Sequence, residues 1–407
     1  MLKTDPVSSA PREWGARRAR VGIVCDFVEE NWPSMDLVAD MLFRHLRQEH
    51  ADRLQVTKIC PPLRRPFGWF PGLGSTPLFS NADRMVNRFF DYPRRVRGRE
   101  NEFDLFHIVD HSYAQLVPYL PSRRTIVTCH DLDTFRCLLQ PEREKRPRWF
   151  RAMTSSILQG LAQAAHVITV SRTTRDSILE HGLLPAERMT VIPNGVHPSC
   201  SPIRGSADEE LARLLPSESA GAFWLLNVGS TMRRKRLDIL LRVVAAVRNE
   251  LPGVRLLRVG GALTEEQVRL AAELKLQDAI VQLGSVNREM LAAAYRRADL
   301  LVHTAEAEGF GLPVVEAMAC GCPVAASDIP VLREVGGEAA SYCTLEDTEA
   351  WRNAIVNALG RRLEQNGLWE RERQQAISHA ARFSWLETAR QTADVYRRVL
   401  EIAGPEV

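Results

Sequence analysis

Short runs of apolar residues alternate with longer stretches of helical periodicity along most of the chain. Continuous apolar runs separated by helices are typical of parallel strands that helices cover on both faces. In the first half, this pattern predicts strands at 20–27, 54–60, 103–110, 124–131, 166–171 and 189–195. In the second half, it predicts strands at 222–229, 254–261, 279–284, 299–305 and 323–328.

Helices are predicted between these strands, at 35–48, 147–164, 172–181, 237–250, 264–274, 287–298 and 313–320. Two such strand–helix series in one chain predict an α/β protein with two Rossmann-like, doubly wound domains. A stretch at 197–221 that is rich in Pro, Ser and Gly separates the two series. We therefore expect domains at 1–203 and 204–385.

The end of the chain, 386–407, is predicted to form an amphipathic helix, with one stripe made of Leu386, Ala389, Ala393, Tyr396 and Leu400. Residues 61–100, which include "FGWFPG" (67–72), mix Pro and Gly with aromatic residues and arginines. They predict a long connection that contains one helix. Connections of this length are often functional, and a packing role is an equal alternative here.

Composition narrows the class of protein. Of the 407 residues, 25% are charged and 45% hydrophobic, which is typical of a globular chain. A net charge of +3 is too small to indicate a nucleic-acid partner. Only five of the 53 basic residues are lysines. Arginine binds phosphates and carboxylates in a bidentate manner, although genome composition explains the same bias equally well.

The cysteines and the first residues bear on the compartment. The eight cysteines are scattered without C-x-x-C spacing, which predicts buried thiols in a reducing cytoplasm. The first 20 residues lack an apolar signal segment, and no stretch approaches the roughly 20 apolar residues that span a bilayer. The predicted location is therefore cytoplasmic. Arg and Lys cluster around Trp149 and Phe150 within 142–161. This cluster is compatible with a helix that lies on the inner face of the membrane. The alternative is a surface helix whose apolar stripe packs in the core.

Two segments that follow strands of the second domain carry candidate binding residues. The first, "GSTMRRKRLD" (229–238), is a small-residue turn followed by Arg233, Arg234 and Lys235 and then by a helix. Free N–H groups and the dipole at a helix N-terminus favour anions, and three added cations predict a phosphate site. The alternative is a solvated basic face.

The second segment is "TAEAEGFGLPVVEAMACGCPVAASD" (304–328). Its glycines allow close approach of the backbone to a ligand, and Pro313 suits the first helical position. Glu308 is expected in the loop before the helix and Glu316 in the first helical turn, both facing one pocket. Carboxylates accept hydrogen bonds, so both suit a polyhydroxylated ligand such as a sugar and a ribose. The alternative is that Glu316 complements the helix dipole and Glu308 is exposed to solvent.

This second segment resembles the E-x7-E segment of retaining glycosyltransferase family 4. "VGSTMRRKRLDILL" (228–241) resembles the family's donor-phosphate segment, and "TIVTCHDLD" (125–133) resembles its histidine-bearing loop. The motif order is kept over about residues 20 to 400. The resemblance implies the glycosyltransferase B-type fold, with an acceptor-side first domain, a second domain that binds a nucleotide sugar, and a C-terminal helix that crosses back to the first domain.

The resemblance also implies roles for individual residues. As the catalytic pair, His130 would face the donor sugar and Glu308 would bind its hydroxyls near the reacting carbon. Glu316 would bind the ribose, and the base would lie near 282–287. The donor-binding set is Gly229, Ser230, Arg234, Lys235, Phe310, Gly311, Leu312 and Glu316. Arg234 and Lys235 would neutralise the departing diphosphate.

The sequence departs from the family pattern at two places. Ser230 stands where many members have an arginine, so the phosphate site would rest on Arg233 or Arg234 with Lys235. The Gly-Gly loop after the first strand is missing as well. The acceptor side is instead expected to be lined by Asp26, Glu30, Asn31, Trp32 and, from another strand end, His111.

Asp131 and Asp133 form a D-x-D pair, which metal-dependent A-type glycosyltransferases use to hold a divalent cation. Because the B-type site already has cations for the diphosphate, we predict no metal. Asp131 is expected to orient His130, and Asp133 to cap the next segment. No His/Cys cluster indicates zinc, no G-x-S-x-G indicates a hydrolase nucleophile, and the first strand lacks the G-x-G-x-x-G of NAD-binding domains.

These expectations describe a metal-independent retaining hexosyltransferase without a cofactor. It would move a hexose from a UDP- or GDP-sugar to a hydroxyl of a glycan, a lipid carrier or a small molecule, in bacterial polysaccharide or glycolipid synthesis. The base, the sugar, the linkage and the oligomeric state stay open. The alternatives are a sugar-nucleotide hydrolase or epimerase of the same fold and, given Ser230, a sugar-nucleotide-binding protein without turnover.

Overall fold

Two six-stranded parallel sheets organise the protein, whose computed structural model describes residues 17–66, 77–216, 221–364 and 367–404. The first sheet has the order β2-β1-β3-β4-β5-β6 and the second the order β12-β11-β10-β7-β8-β9. The strands of the first sheet are β1 Ala19–Val24, β2 Leu54–Ile59, β3 Leu105–Ile108, β4 Thr125–Cys129, β5 His166–Thr169 and β6 Met189–Val191. Those of the second are β7 Phe223–Gly229, β8 Val254–Gly260, β9 Ile280–Leu283, β10 Leu300–His303, β11 Val324–Ser327 and β12 Ala340–Cys343.

Helices cover both sheets. In the first half they are α1 Pro33–Glu49, α2 Pro77–Val86, α3 Tyr92–Val96, α4 Arg136–Leu139, α5 Arg148–Gln163 and α6 Arg172–Glu180. In the second half they are α7 Ser206–Leu214, α8 Leu237–Glu250, α9 Glu265–Glu273, α10 Arg288–Arg297, α11 Leu312–Ala319, α12 Pro330–Gly336, α13 Thr348–Leu363, α14 Leu368–Ala380 and α15 Trp385–Ala403. Short 3₁₀ helices include Val28–Glu30, His111–Tyr119, Asp133–Phe135 and Arg233–Lys235.

Each sheet reverses its strand order at one point. In the first sheet, β1 pairs with both β2 and β3, and in the second, β7 pairs with both β8 and β10. At such a switch point the loops leave the two neighbouring strands towards opposite faces, so a crevice opens beyond their carboxyl ends. The segments that follow β7 and β10 flank the crevice of the second sheet. Those that follow β1 and β3 flank the crevice of the first.

The last helix, α15, packs back on the first sheet. Ala389, Ala393 and Tyr396 share a buried apolar cluster with residues of β1, β3, β4 and α1. Tyr396 also makes a hydrogen bond inside this layer, with its hydroxyl 2.6 Å from His107 Nδ1 on β3. The expected crossing of the C-terminal helix to the first domain is confirmed. The bounds 1–203, 204–385 and 386–407 remain proposals.

Every predicted strand overlaps a strand of the structure, and four details differ from the predictions. The edge strand β12 was not predicted, because only its last residue, Cys343, is buried. Leu386 is exposed, and Trp385 is buried in its place. Cys60 is exposed, unlike the other seven cysteines.

The fourth difference concerns the stretch 61–100, where α2, a π-helical segment at Asn87–Asp91 and α3 follow one another without a break, so the helical part is longer than predicted. The string "FGWFPG" lies outside the described residues.

The basic segment 142–161 contains the start of α5. This helix buries Ile157 and Leu161 in the core and leaves Trp149 exposed. Its apolar stripe therefore packs against the protein, which was the alternative to a helix lying on a membrane. Within the described ranges, no helix combines the length and apolarity needed to cross a bilayer.

Candidate active site

The two domains meet where the loop after β10 packs on the loop after β4. The main chain of Gly309 lies so close to the carbonyl of His130 that a Cβ at Gly309 would overlap this oxygen. Ser171 Oγ donates to the Gly309 carbonyl at 2.9 Å. Arg288 of α10 donates to the carbonyl of Pro33 in α1 at 2.9 Å. The carboxyl ends of the two sheets therefore face a shared cleft.

Glu308 lies among cations at the switch point of the second sheet. Its carboxylate accepts hydrogen bonds from Lys235 Nζ and, at 2.8 Å, from His303 Nε2, and Arg234 Nη1 is 3.9 Å away. Burial favours a raised pKa, but Lys235, His303 and Arg234 outweigh it and hold the pKa of Glu308 far below its usual value. Glu308 is therefore ionised and can only accept hydrogen bonds. The alternative that Glu308 is exposed to solvent is wrong, because only 8% of its side chain is accessible.

Glu316 lies in the second turn of α11, not in the first as predicted, because the helix begins at Leu312. At that position it does not complement the helix dipole, which acts on the first turn. Tyr295 donates its hydroxyl to Oε2 at 3.0 Å, and Arg288 is 3.5 Å from Oε1. Burial raises the pKa of Glu316. Oε1 is buried and accepts no hydrogen bond from the described residues, so it is a candidate acceptor for a ligand hydroxyl.

The predicted phosphate turn connects β7 to α8. Gly229 adopts φ 140°, which favours glycine, and residues Arg233–Lys235 form a single 3₁₀ turn before the helix. Arg233 is exposed, whereas Arg234 and Lys235 are 17% and 14% exposed and reach the Glu308 loop. The cationic pair in the cleft is therefore Arg234 with Lys235. Ser230 follows Gly229, so the cations of this segment come from its 3₁₀ turn and not from the residue after the glycine.

The D-x-D carboxylates contact Arg234 of this pair from the other domain. Arg234 lies 3.6 Å from Asp131 Oδ2 and 3.6 Å from Asp133 Oδ2. The expected roles of both residues are wrong. Asp131 accepts a hydrogen bond from the amide of Asp133 at 3.0 Å and does not contact the His130 ring, and Asp133 begins the next 3₁₀ helix without capping it. Among the residues described here, no group of three or more His, Cys, Asp or Glu side chains is placed to hold a metal ion.

A backbone carbonyl orients the ring of His130. Nε2 lies 2.8 Å from the carbonyl of Val109, which can only accept, so Nε2 carries the proton and Nδ1 is an acceptor. Burial lowers the pKa of His130, which therefore stays neutral near pH 7. Its amide donates to His111 Nδ1 at 3.3 Å. The structure thus places a neutral imidazole at the point where the two domains touch.

The remaining donor-side candidates surround the start of α11. Phe310 is buried against Phe383, with ring centroids 5.6 Å apart, and Gly311 takes φ 90° immediately before Leu312 begins the helix. The first amides of a helix lack partners within it, so this turn presents N–H groups beside Glu308. At the expected base site, Asn287 caps α10 by accepting from the Met290 amide at 2.8 Å.

The structure adds a residue that the sequence did not reveal. Arg258 on β8 is fully buried and donates to the carbonyls of Gly229 at 2.5 Å and Ser230 at 3.2 Å, and also to that of Val259. Burial lowers its pKa to about 10, with no carboxylate among the influences on it. In the sequence, an arginine inside an apolar strand gives no signal of this role. Its guanidinium lies directly under the turn that lacks the expected arginine.

The five acceptor-side candidates lie beyond β1 and β3. Asp26, Glu30 and His111 are buried together, whereas Asn31 adopts a left-handed conformation (φ 58°) and Trp32 is 45% exposed. Asp110, which precedes His111 at the end of β3 and was expected at the cleft with it, belongs to the group. The structure adds Arg88 and Tyr113, which sequence patterns did not indicate.

Comparisons with known proteins agree with this geometry. The family model described as "Glycosyltransferase Family 4" matches residues 37–199, and that described as "Glycosyl transferases group 1" matches residues 217–382. The O-antigen chain mannosyltransferase B of Escherichia coli is 30% identical over 327 residues, which cover 79% of this chain and 80% of the relative. The D-inositol 3-phosphate glycosyltransferase of Mycolicibacterium smegmatis is 36% identical over 181 residues, or 42% of this chain and 39% of the relative.

Solved structures show the same fold. A sucrose-phosphate synthase from Thermosynechococcus elongatus superposes with a TM-score of 0.70 at 22% identity, covering 95% of this chain and 100% of the other. HepE from Anabaena, in complex with UDP and glucose, superposes with a TM-score of 0.69 at 18% identity, covering 93% and 99%. The fold is the glycosyltransferase B-type fold expected from the sequence. The chain belongs to glycosyltransferase family 4 and is a glycosyltransferase.

Proposed function

We propose that the chain is a retaining hexosyltransferase that moves a hexose from a UDP- or GDP-linked donor to a hydroxyl of a glycan acceptor, in bacterial polysaccharide or glycolipid synthesis. One observation carries the proposal. Glu308 is held by Lys235 and Arg234 at the switch point of the second sheet, where ligands of such sheets bind. A hexosyl diphosphate presents hydroxyls next to phosphates, and this site presents a carboxylate next to two cations.

Each side chain has a place in this scheme. Glu308 accepts hydrogen bonds from the hexose hydroxyls, and Glu316 uses its unpaired Oε1 for the ribose. Arg234 and Lys235 face the diphosphate, with the amides before α11 beside them. Arg258 supports the turn at Gly229 and adds positive charge beneath it. The neutral His130 offers Nδ1 to a donor hydroxyl when the domains close, and closure excludes water from the sugar.

In the proposed reaction, the bond between the anomeric carbon and the phosphate oxygen breaks, and the acceptor oxygen bonds to the same face of the sugar. The acceptor proton passes to the departing phosphate oxygen. Arg234 and Lys235 stabilise the negative charge that grows on the diphosphate, which is the largest contribution that such a preorganised site makes. The reaction then needs no side-chain nucleophile. Because these two side chains supply the positive charge, we propose that no metal is required.

The relatives suggest which donors to test first. The Escherichia coli relative is named a mannosyltransferase, and the HepE complex contains UDP and glucose. GDP-mannose and UDP-glucose are therefore the two primary candidates. Unpaired thiols at all eight cysteines fit a reducing, cytoplasmic location, with peripheral contact at the inner membrane face included in the proposal.

The test is transfer from each donor to sugar acceptors, with the anomeric configuration of the product read by NMR. Retention at the anomeric carbon, unchanged by EDTA, is the expected result. Release of free hexose with every acceptor would favour the sugar-nucleotide hydrolase. Conversion of the donor hexose to a different hexose would favour the epimerase, and donor binding without turnover would favour the non-catalytic binding protein. Complete loss of transfer with EDTA that Mn²⁺ restores would overturn metal independence and favour Asp131 and Asp133 as ligands.

Three amide variants separate the roles of the carboxylates. Glu308→Gln is expected to lower kcat by at least about a hundredfold with little change in donor binding, since its charge acts where the sugar reacts. Glu316→Gln is expected to weaken donor binding. Glu306→Gln is the control, because Glu306 lies in the same loop and contacts Arg236 instead. Normal transfer by Glu308→Gln would refute the assignment of Glu308.

A further inference from the structure

The first sheet has its own crevice, at the switch point between β1 and β3, and two carboxyl groups flank it. Asp26 follows β1 and Asp110 follows β3. Asp26 is 4% exposed, and neither of its oxygens accepts a hydrogen bond from the described residues. Buried carboxylates in proteins are normally paired, so the carboxyl group of Asp26 is available to a ligand that brings hydrogen-bonding groups.

The two carboxyl groups are not equivalent. Asp110 accepts from the amide and hydroxyl of Ser112 at 2.9 and 2.6 Å and lies 3.3 Å from His111 Nδ1. Burial opposes ionisation of Asp110, but His111, His130 and Ser112 lower its pKa to about 2. Burial and the charge of Asp110 raise the pKa of Asp26. Asp26 therefore holds the proton of the pair and shares it with Asp110, and a hydroxyl that enters the crevice meets both carboxyl groups.

The nearby cation does not offset this acidic character. Arg88 donates to the carbonyl and hydroxyl of Ser112 at 2.7 and 2.8 Å and stacks on Tyr113, with its guanidinium carbon 4.1 Å from the ring centroid. Its Nε lies 3.8 Å from the buried carboxylate of Glu30. Arg88 also lies near enough to Asp26 and Asp110 to act on their charges, so one guanidinium is shared among three carboxyl groups, which outnumber it.

An exposed aromatic residue follows Asp26 in the segment after β1. Trp32 is 45% exposed and immediately precedes Pro33, whose carbonyl binds Arg288 of the donor-side domain. The ring is therefore close to the line where the two domains meet. Exposed aromatic faces beside carboxyl groups suit the apolar faces and hydroxyls of a sugar ring.

Resting on the proposed transfer, we propose that this crevice binds the terminal sugar of an uncharged, polyhydroxylated acceptor and rejects acceptors with phosphate next to the reacting hydroxyl. Asp26 and Asp110 exchange hydrogen bonds with the acceptor hydroxyls, and Trp32 stacks on the ring. A phosphate in this position meets the carboxylates of Asp110 and Glu30, which outnumber the single guanidinium of Arg88, and like charges brought together in this way are strongly disfavoured. The chain would accordingly differ in acceptor from relatives that act on inositol phosphate.

The test uses acceptor pairs that differ only in a phosphate: methyl α-mannoside with its 6-phosphate, and myo-inositol with D-myo-inositol 3-phosphate. Transfer is measured with the full chain and whichever of GDP-mannose and UDP-glucose is turned over. For each acceptor pair that the protein turns over, we expect the kcat/KM of the neutral acceptor to be at least about tenfold higher than the kcat/KM of its phosphate. Preference for a phosphorylated member would overturn the proposal.

The variant Asp26→Asn keeps the shape of the side chain and removes its acidic proton. It is expected to raise KM for the neutral acceptor at least about tenfold while donor binding stays unchanged, because a mispaired polar site is costly. Asp52→Asn, at an exposed turn of the same domain, is the control. An unchanged acceptor KM in Asp26→Asn would overturn the role of Asp26. If this variant does not fold, transfer by the native chain to the two acceptor pairs still tests whether neutral acceptors are preferred.

Failure of the proposed function is a separate result. If neither donor is turned over, the transfer proposal fails, and saturation-transfer NMR of the same acceptor pairs then judges the crevice directly. Stronger saturation of the neutral members, weakened in Asp26→Asn, supports the acceptor class. Equal or stronger saturation of the phosphates refutes it.

Discussion

The guanidinium of Arg258 donates to the carbonyl of Gly229 at 2.5 Å, so a buried charge on β8 supports the turn that follows β7. Its Nε makes no hydrogen bond to the described residues, and none of their carboxylates affects its pKa. Buried charges are normally paired with an opposite charge. An anion bound above the turn would supply the missing counter-charge of Arg258, and the diphosphate of the proposed donor is such an anion.

Arg258→Met tests this relationship. Loss of the charge and of the bonds to the turn is expected to raise the donor KM at least about tenfold. Stability should change little, since removing an uncompensated buried charge offsets the lost hydrogen bonds. Steady-state kinetics with varied donor and a urea melt measure the two effects. Arg255→Met, on the exposed part of the same strand, is the control. A normal donor KM in Arg258→Met would contradict the assignment.

The contact of Arg234 with Asp131 and Asp133 leads to a second prediction. The donor diphosphate must compete with these carboxylates for Arg234. Partly exposed ion pairs contribute up to about 1 kcal/mol each, so Asp131→Asn/Asp133→Asn is expected to tighten UDP or GDP binding by about two- to fivefold. Isothermal titration measures the change.

The same double variant separates the D-x-D alternatives. If the pair held a divalent cation, the variant would bind the nucleotide more weakly and lose transfer. Glu142→Gln/Glu144→Gln removes two charges from the same domain and is expected to leave binding unchanged. If Asp131→Asn/Asp133→Asn binds the nucleotide more weakly and the glutamate control does not, the diphosphate does not compete with these two carboxylates for Arg234.

Gly309 gives a third prediction, because it has no room for a side chain. The Cβ of Gly309→Ala would overlap the main-chain oxygen of His130, and backbone on both sides of the cleft would have to move. Misplacing a reacting geometry by about 1 Å can cost about a hundredfold in rate, so kcat is expected to fall at least about tenfold. Nucleotide binding, which rests on the second domain, should change little. Gly253→Ala, whose Cβ would meet no atom within 4 Å, is the control. An unchanged kcat would show that this contact does not position the site.

Much of the fold could be predicted from the sequence because the central strands of both sheets are mostly apolar and the helices between them are amphipathic. Each of the predicted strands is present, whereas the edge strand β12 is half-exposed and carries no such pattern. The E-x7-E string predicted that Glu308 and Glu316 face one pocket at different depths, but it placed Glu316 in the first helical turn, whereas the helix begins at Leu312 and puts Glu316 at the start of the second. The helix start decides this detail, and a loop with two glycines does not fix the first helical residue.

The parts that were missed depend on contacts between distant segments. Arg258 sits in an apolar strand, where a lone arginine carries no pattern, and only the pairing of β7 with β8 places it under Gly229. Asp131 is next to His130 in sequence, yet its carboxylate turns to Arg234, which is 103 positions away by residue number. Periodicity and spacing report local geometry, so they do not predict such partners.

The last prediction concerns pH and the docking of α15. His107 on β3 is fully buried, with Nδ1 2.6 Å from the Tyr396 hydroxyl and Nε2 2.7 Å from Thr128 Oγ1. Burial lowers the pKa of His107 to about 3, whereas an unfolded histidine has a pKa of about 6.5. Between these values the unfolded chain binds a proton that the folded chain does not. The contribution of neutral His107 to stability is therefore complete above about pH 6.5 and is lost as the pH falls towards 3.

His107→Gln should accordingly reduce the fall in unfolding free energy between about pH 6 and pH 4 by up to about 1.4 kcal/mol per pH unit, the contribution of one proton. Tyr396→Phe removes the hydroxyl and keeps the histidine, so it should lower stability by about 1 kcal/mol at neutral pH without flattening the pH dependence. Urea unfolding of both variants across this range, with the exposed His181→Gln as control, measures the two effects. Equal slopes in His107→Gln and the native chain would mean that His107 takes up its proton in the folded state as well, and that the contact between β3 and α15 does not hold it neutral.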